Sequence, residues 1–446
     1  MNNTTICALA TARLNCAIHI IRISGPKAFE IINKISKKQI TKIGFKIWRS
    51  TIIDNDHVID DVLINSFVAP NSYTGEDTIE INCHGGVLVA DTIISLLIKH
   101  GATMAERGEF SKRSMLNKKI DISQVEAINN LIHAKNQLTI QTSINALMGK
   151  ISDKISTLRN ELFKLIGNIE VNIDYPEYKD VEEITVDQAI KTTKKLINAF
   201  EKILINSERF IPINNGINVL ILGAPNSGKS TLLNALTKSE KAIVSDIPGT
   251  TRDVIEACIS IDNITLNLFD TAGIRQTTDE IEKLGIDKAK SYLDKSDIVL
   301  ILKPFHEINK TWFDEYKQLI NDKKYLIVYT KSDLTSNHNF KLNNNEVIIS
   351  VKKNDLEQLI KKIKEIFEIQ EFIYSDMNAL QSNRQINILK QVVQFLKIAL
   401  EQIKIIPIDL VIENYNNALE GINKILGLDK EYDFLNELFA NFCLGK

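Results

Sequence analysis

Little cysteine and no excess of either charge distinguish this chain of 446 residues. Its five cysteines, Cys7, Cys16, Cys83, Cys258 and Cys443, contain no C-x-x-C pair. A disulfide framework or a zinc site is therefore not expected, and a reducing compartment is the simpler assumption. Basic residues number 54 and acidic residues 56, a balance that gives no support for strong nucleic-acid binding by this chain alone.

Long apolar runs are also missing. The most apolar early stretch, residues 6–23, is interrupted by Arg13, Asn15, His19 and Arg22, which excludes a membrane-spanning helix there. The first five residues lack the basic start of a signal peptide. We therefore expect no membrane association and a cytoplasmic location.

The chain length predicts about three domains. Residues 1–118 mix short apolar runs with turn signals, and Ile79, Ile81 and Cys83 alternate with polar partners, as in a half-buried strand. We expect an α+β domain here.

A helical pattern begins near residue 119. One apolar stripe at three- and four-residue steps comprises Ile144, Leu147, Ile151, Ile155, Leu158, Leu162, Leu165 and Ile169. Pro176 interrupts it, and further helices are expected at 186–204, 389–403, 410–425 and 430–441. Because both helical regions have apolar faces to bury, 119–215 and 376–446 are predicted to form one helical bundle, with 216–375 inserted into it.

The inserted segment alternates strand-like and helical runs. The expected strands are 217–222, 264–269, 298–303, 325–330 and 346–350, which is the rhythm of a doubly wound parallel sheet.

A phosphate-binding loop lies at the start of this segment. Gly223-Ala-Pro-Asn-Ser-Gly-Lys-Ser230 matches G-x-x-x-x-G-K-[ST], follows the apolar run 218–222 and precedes leucines at helical spacing. The strand-loop-helix context favours a true site over a chance match. Backbone N–H groups and the helix N-terminus would hold phosphate, Lys229 would reach the outer phosphates, and Ser230 would bind Mg²⁺.

Further motifs in the expected order indicate a GTPase. Asp270-Thr271-Ala272-Gly273 follows the second strand, and Thr330-Lys331-Ser332-Asp333 follows the fourth. The Asp333 carboxylate can accept hydrogen bonds from N1–H and the 2-amino group of guanine, which adenine lacks, so it selects GTP over ATP. The residues expected to contact nucleotide are Asn226, Ser227, Gly228, Lys229, Ser230, Thr231, Ser245, Asp246, Ile247, Pro248, Gly249, Thr250, Thr251, Asp270, Thr271, Ala272, Gly273, Thr330, Lys331, Asp333, Ser350, Val351 and Lys352.

The hydrolytic machinery departs from that of small GTPases. Ile274 stands where many of them carry a water-positioning glutamine, and no arginine finger can be assigned. Asn226, together with the segment 243–253, suggests a monovalent cation as the compensating charge.

Over its whole length the sequence resembles the tRNA-modification GTPase family (MnmE, also called TrmE). The motifs that carry this resemblance are Ile20-Ile-Arg-Ile-Ser-Gly25, Tyr73-Thr-Gly-Glu-Asp77, Glu80, Cys83-His-Gly-Gly86, Gly108-Glu-Phe110, Leu116-Asn-Lys-Lys-Ile-Asp121, the GTPase motifs and the final Cys443-Leu-Gly-Lys446.

The resemblance implies roles for individual residues. Potassium would be held by Asn226, Ser245, Ile247 and Thr250, and Mg²⁺ by Ser230 and Thr251. Glu282 would orient the attacking water, although by itself it is a solvated helix charge. Arg22, Glu80, Lys119 and Lys446 would bind 5-formyl- or methylene-tetrahydrofolate, and Cys443 would be required for modification. Without the family, these charges would be ordinary surface residues.

The resemblance also implies the reaction and the partners. A homodimer would join the FAD-dependent protein MnmG in a heterotetramer and act on tRNA. The product would be a carboxymethylaminomethyl or aminomethyl group on carbon 5 of the wobble uridine. Glycine and ammonia both stay open as the amine donor.

Two departures from the family pattern concern residues 11–15 and Thr330. The first, Thr-Ala-Arg-Leu-Asn, replaces a segment rich in proline and glycine, which puts the dimer contact and the folate pocket in doubt. Thr330 replaces the commoner asparagine. The alternatives are a ribosome-assembly or regulatory GTPase, and a folate-binding module with a vestigial GTPase domain.

Overall fold

The computed structural model describes residues 4–174, 186–224, 226–237, 243–244, 257–269, 292–307, 320, 323–334, 342–353, 356–428 and 445. Contacts divide the chain into two compact units, residues 1–125 with 423–446, and residues 126–422. The three-domain division of the sequence stays a prediction.

In the described part of the first unit, one six-stranded sheet has the order β3-β4-β5-β2-β1-β6. Its strands are β1 (Ile6–Leu9), β2 (Ile18–Ser24), β3 (Lys46–Asp54), β4 (His57–Phe67), β5 (Thr78–His84) and β6 (Thr103–Met104). Neighbours run antiparallel except β1 and β6, which are parallel.

Helices α1 (Ala28–Ile35) and α2 (Val87–Lys99) pack on one face of this sheet. The alternation predicted for β5 is confirmed, because Ile79, Ile81 and Cys83 are all buried in that core. At β1 both faces are covered. Cys7 and Leu9 face α1 and α2, whereas Ile6 and Ala8 pack against Phe110 of α3 (Glu109–Leu116). On the opposite, open face of this sheet Ile18, Ile47 and Leu63 are exposed.

The helices that follow are α4 (Ile122–Ile132), α5 (Gln137–Leu147), α6 (Lys150–Asp174) and α7 (Val186–Asn215). The predicted apolar stripe from 144 to 169 is divided between α5 and α6, because the helix is interrupted at Gly149, whose φ is +82°. That left-handed backbone ends a helix. The helix predicted at 186–204 continues to Asn215 and contains Pro212.

In the described part of the second unit, seven strands form a sheet of order β13-β12-β11-β7-β10-β9-β8. They are β7 (Ile217–Gly223), β8 (Ile243–Val244), β9 (Ala257–Ile261), β10 (Ile264–Phe269), β11 (Ile298–Pro304), β12 (Lys324–Thr330) and β13 (Glu346–Ile348). The five predicted strands are parallel, as expected. At one edge β9 runs antiparallel to both β8 and β10. Strand β9 was missed, and the last strand ends at Ile348 instead of residue 350.

The antiparallel edge follows from a tight turn. Asp262 and Asn263, between β9 and β10, have φ values of +46° and +72°. Two consecutive left-handed residues make the type I′ turn that joins paired strands, and Asp and Asn tolerate this conformation well. The dipeptide was therefore a hairpin signal in the sequence.

Helices α8 (Lys229–Thr237), α9 (Glu357–Ile366), α10 (Ile369–Tyr374), α11 (Asn383–Gln402) and α12 (Ile408–Leu426) complete the described elements. The helix predicted at 389–403 begins earlier, at Asn383, and the helix predicted at 410–425 spans Ile408–Leu426. Residues 430–441 lie outside the described ranges. Within the described ranges, no helix combines the length and apolarity needed to cross a membrane.

Candidate functional site

The loop after β7 curls back on itself. A Cβ added to Gly223 would lie 2.6 Å from Ser227 Oγ and 2.7 Å from the Leu302 carbonyl oxygen, so only glycine fits there. Asn226 has a φ of +62°, a left-handed conformation that asparagine tolerates better than most residues. These two features give the described residues of 223–228 the tight turn of a phosphate-binding loop.

Lys229 supplies positive charge to this loop. Its Nζ donates to the carbonyl oxygens of Gly223 at 2.8 Å and Ala224 at 3.0 Å. Ser230 and Thr231 are exposed in the first turn of α8, where unpaired N–H groups and the helix dipole favour an anion. Among the described residues, the buried Ser227 Oγ has no hydrogen-bond partner.

The loops after β12 and β13 join the phosphate loop. Thr330 Oγ1 donates to the Ser227 carbonyl oxygen at 2.7 Å, and Ser350 Oγ donates to Asp333 Oδ1 at 3.0 Å. Strands β7, β11, β12 and β13 are parallel, so their carboxyl ends lie at one sheet edge. The described residues of 223–230, 330–333 and 350–352 are therefore brought together there.

Several predicted site residues lie outside the described ranges. They are Ser245, Asp246, Ile247, Pro248, Gly249, Thr250, Thr251, Asp270, Thr271, Ala272, Gly273, Glu282, Cys443 and Lys446.

Arg22 and Glu80 form a second polar site in the first unit. They are direct cross-strand partners on β2 and β5, and Arg22 Nε donates to Glu80 Oε1 at 2.9 Å. The guanidinium lies 5.5 Å from the Tyr73 ring centroid and 5.6 Å from that of Phe110. A cation between two rings and a carboxylate is held in one orientation.

Gly445 lies beside Arg22. Arg22 Nη1 donates to the Gly445 carbonyl oxygen at 3.0 Å. A Cβ on Gly445 would be 2.5 Å from the Leu9 carbonyl oxygen, so this close approach to β1 requires glycine. Lys119 lies against the neighbouring loop, because a Cβ on Gly75 would be 3.3 Å from Lys119 Cγ.

Burial of the Tyr73 side chain raises the pKa of its hydroxyl, and a 2.8 Å hydrogen bond to Ser111 Oγ and the charge of Arg22 oppose part of that rise. The neutral ring therefore faces Arg22 at physiological pH.

Arg113 helps to position the residues around Arg22, and the sequence patterns did not predict this. This buried side chain on α3 donates to the Thr4 carbonyl oxygen at 2.8 Å and pairs with Glu76 at 3.2 Å and Glu109 at 2.8 Å. Glu76 also accepts from Ser24 Oγ at 2.8 Å. Arg113 thereby joins α3, which carries Phe110, to the loop that carries Tyr73. The Ser-Lys-Arg-Ser run at 111–114 gave no signal that this arginine is buried.

Residues 11–15, which differ from the family pattern, are held by hydrogen bonds and an ion pair. Thr11 Oγ1 lies 2.7 Å from Nδ1 of the buried His19, Asn15 Oδ1 accepts from the Val87 N–H at 3.3 Å, and Arg13 pairs with Asp91 at 2.7 Å. Polar side chains thus hold this turn without proline or glycine.

A phosphate loop tied through Thr330 to a loop ending in Asp333 defines a P-loop nucleotide-binding protein of the GTPase class. Family models agree with this class: residues 5–119 match the GTP-binding protein TrmE N-terminus, and residues 122–443 match the MnmE helical domain.

Full-length relatives show the family. The chain is 52% identical over 444 residues to the tRNA modification GTPase MnmE of Ureaplasma parvum serovar 3, covering 99% of this chain and 100% of that protein. The protein of the same name from Mycoplasmoides gallisepticum is 47% identical over 453 residues, covering 99% and 98%. This chain belongs to the tRNA modification GTPase MnmE family, which confirms the resemblance and the fold class.

A solved structure of Era in complex with MgGDPNP and nucleotides 1506–1542 of 16S ribosomal RNA matches 34% of this chain and 55% of that chain. Its sequence identity is 28% and its TM-score 0.27. The family assignment rests on the full-length relatives.

Proposed function

We propose that this protein hydrolyses GTP to drive modification of the wobble uridine of certain tRNAs. The main support is the contact between the phosphate loop and the loop that carries Asp333. Thr330 Oγ1 makes this contact by donating a hydrogen bond to the Ser227 carbonyl oxygen at 2.7 Å. Similarity over the full length to tRNA modification GTPases supports the biological role.

In this proposal, Asp333 selects guanine. Its carboxylate is oriented by Ser350 at 3.0 Å and can accept from two guanine donors that adenine lacks. Lys229, whose Nζ donates to the Gly223 carbonyl oxygen of the loop, would offset phosphate charge. Ser230 and Thr251 would hold Mg²⁺, and Glu282 would orient the water that attacks the γ-phosphate.

Potassium would be held by Asn226 with Ser245, Ile247 and Thr250. Asn226 is exposed and has a left-handed backbone, so its side-chain oxygen is accessible to a cation. When bound, a cation at this position would offset the charge that develops on the phosphates.

We further propose that the Arg22 site binds a reduced folate. The described residues fit such a ligand: a carboxylate for donors of the pterin, two aromatic rings, and the cations Arg22 and Lys119 for a glutamate tail. Gly445 at Arg22 supports a contribution from the C-terminal segment, where Cys443 and Lys446 would act. The folate would supply a one-carbon unit, and an FAD-dependent MnmG partner would complete the chemistry.

The homodimer would use the open face of the first sheet. Ile18, Ile47 and Leu63 lie on this face and are 58%, 67% and 49% exposed. Exposed apolar side chains on one face indicate an interaction surface. Ile47→Lys with Leu63→Lys is expected to yield monomers in analytical ultracentrifugation. Ile98→Lys, a change at an exposed apolar residue of α2 on the opposite side of the sheet, is expected to stay dimeric.

The hydrolysis step is tested by comparing GTP turnover in KCl and NaCl at equal ionic strength. Faster turnover in KCl is expected, and Asn226→Ala should abolish the difference. Asn234→Ala removes an exposed asparagine in the next helix and serves as the control. Equal slow rates in both salts would refute the potassium-dependent mechanism, and no turnover in either would refute the GTPase itself.

A further inference from the structure

Thr330 occupies a buried position between the two halves of the nucleotide site. It is the last residue of β12 and 1% exposed. Its Oγ1 lies 2.7 Å from the Ser227 carbonyl oxygen. A carbonyl oxygen only accepts hydrogen bonds, so the Thr330 hydroxyl must supply the proton.

This hydrogen bond uses the only donor proton of the Thr330 side chain, that of its hydroxyl. A hydroxyl carries one donor and two acceptor lone pairs, whereas an asparagine amide carries two donors. Guanine N7 and O6 are acceptors. Thr330 therefore cannot donate to that edge of the base while it holds Ser227, although asparagine at the same position could do both.

The neighbouring loops make this arrangement rigid. Ser332 Oγ donates to the Ile349 carbonyl oxygen at 3.1 Å, and Ser350 orients Asp333. Thr330 also packs against Gly228, since a Cβ on that glycine would be 3.6 Å from Thr330 Oγ1. One hydroxyl thus sets the spacing between the phosphate loop and the loop that carries Asp333.

We propose that Thr330 is a positioning residue that joins the phosphate loop to the base-binding loop. Thr330 makes no hydrogen bond to guanine N7 or O6. Of Thr330 and Asp333, only Asp333 therefore selects guanine. The inference rests on the proposed binding of guanine nucleotides and concerns how this chain recognises them.

The test compares GDP with 7-deaza-GDP, in which N7 is replaced by C–H, by calorimetry on the full chain with Mg²⁺. The wild-type protein is expected to bind both with dissociation constants within about twofold of each other. Thr330→Asn is expected to favour GDP by about fivefold or more, because it adds a donor worth about 1 kcal/mol.

Two further variants test the positioning role. Thr330→Val removes the hydroxyl at nearly constant shape and is expected to weaken both nucleotides equally, by about fivefold. Thr330→Ser keeps the hydroxyl and should bind as the wild type does. A purely structural role would lower thermal stability without giving Thr330→Asn a new preference for GDP.

A wild-type preference of tenfold or more for GDP over 7-deaza-GDP would overturn the inference, as would unchanged binding by Thr330→Val. If Thr330→Val fails to fold, the wild-type comparison still decides. Absence of binding to either nucleotide would instead refute the proposed GTPase function.

Discussion

Asn136 donates its side-chain amide to Thr265 Oγ1 at 3.2 Å and to the Ile213 carbonyl oxygen at 2.8 Å. Its Oδ1 meanwhile accepts from the Thr139 N–H at 2.9 Å and caps α5. One buried side chain therefore joins the start of α5, the end of α7 and strand β10. Strand β10 leads towards the Asp270 motif, and α7 leads into β7 and the phosphate loop.

We expect Asn136→Ala to loosen this junction by about 1–3 kcal/mol, because it removes a helix cap and the shorter hydrogen bond to the Ile213 carbonyl oxygen, which also accepts from Thr139 Oγ1 at 3.5 Å. Amide hydrogen exchange should then quicken in β10 and in the first turn of α5. Asn136→Asp retains a good cap but cannot donate to Ile213, so its exchange should quicken in β10 while α5 stays protected. Unchanged protection of β10 in both variants would contradict the role of Asn136.

Gly223→Ala should weaken GTP binding by about tenfold or more, a loss of about 1.4 kcal/mol. The new methyl group would stand 2.7 Å from the Leu302 backbone oxygen, which cannot rotate away. Gly167→Ala is the matched control, because no atom of the described residues lies within 4 Å of a Cβ there. In mid-helix alanine is favoured over glycine, so the control should keep its affinity and melt no lower than the wild type.

Binding of 5-formyltetrahydrofolate should be lost in Arg22→Ala and strongly reduced in Arg22→Lys, since lysine cannot reproduce the planar fork between the rings. Calorimetry measures both. Arg49→Ala removes an arginine from an exposed ion pair with Asp61 on neighbouring strands and should bind as the wild type does. Equal affinity in Arg22→Ala and Arg49→Ala would rule out Arg22 as a folate ligand.

The buried thiols of Cys7 and Cys83 should resist alkylation. Burial raises the pKa of Cys7 to about 12 and is the main cause that raises the pKa of Cys83 to about 11. At pH 8 both are protonated, and the thiol is a poor nucleophile. Mass spectrometry after iodoacetamide treatment should find Cys16, which is exposed, labelled before either. Labelling of Cys7 in the folded protein at the rate of Cys16 would contradict this.

The same shifts predict how stability depends on pH. Because both folded pKa values lie above the ordinary thiol value of 9.0, the folded state holds protons that the unfolded state releases. Their stabilising contribution is complete below pH 9 and is lost as the pH rises towards 11–12. Thermal melting from pH 7 to pH 11 should show this decline, and it should be smaller in Cys7→Ala.

Sequence patterns predicted the parts of the protein whose signal is local. The phosphate loop needs a strand, two glycines and a helix start in one short run, so 223–230 could be placed without tertiary information. The parallel strands were found because both their faces are buried and they form continuous apolar runs. Strand β9 was not predicted, because its alternation of apolar and polar residues is short. The turn at Asp262 and Asn263 nevertheless marks the end of this strand.

Relationships between distant residues could not be predicted from the patterns. Nothing near Arg113 indicates that it pairs with both Glu76 and Glu109, because burial of an arginine depends on which elements pack around it. Asn136 was likewise invisible, since its partners Ile213 and Thr265 are far away in sequence. The break at Gly149 was hidden by an apolar stripe that continues in register from α5 into α6.

The most direct test of the central claim is nucleoside analysis of tRNA from cells that lack this protein. We predict loss of the carboxymethylaminomethyl or aminomethyl group at the wobble uridine, restored by the wild-type gene and not by Gly223→Ala. Wobble uridines that keep their modification in the deletion strain would contradict the account.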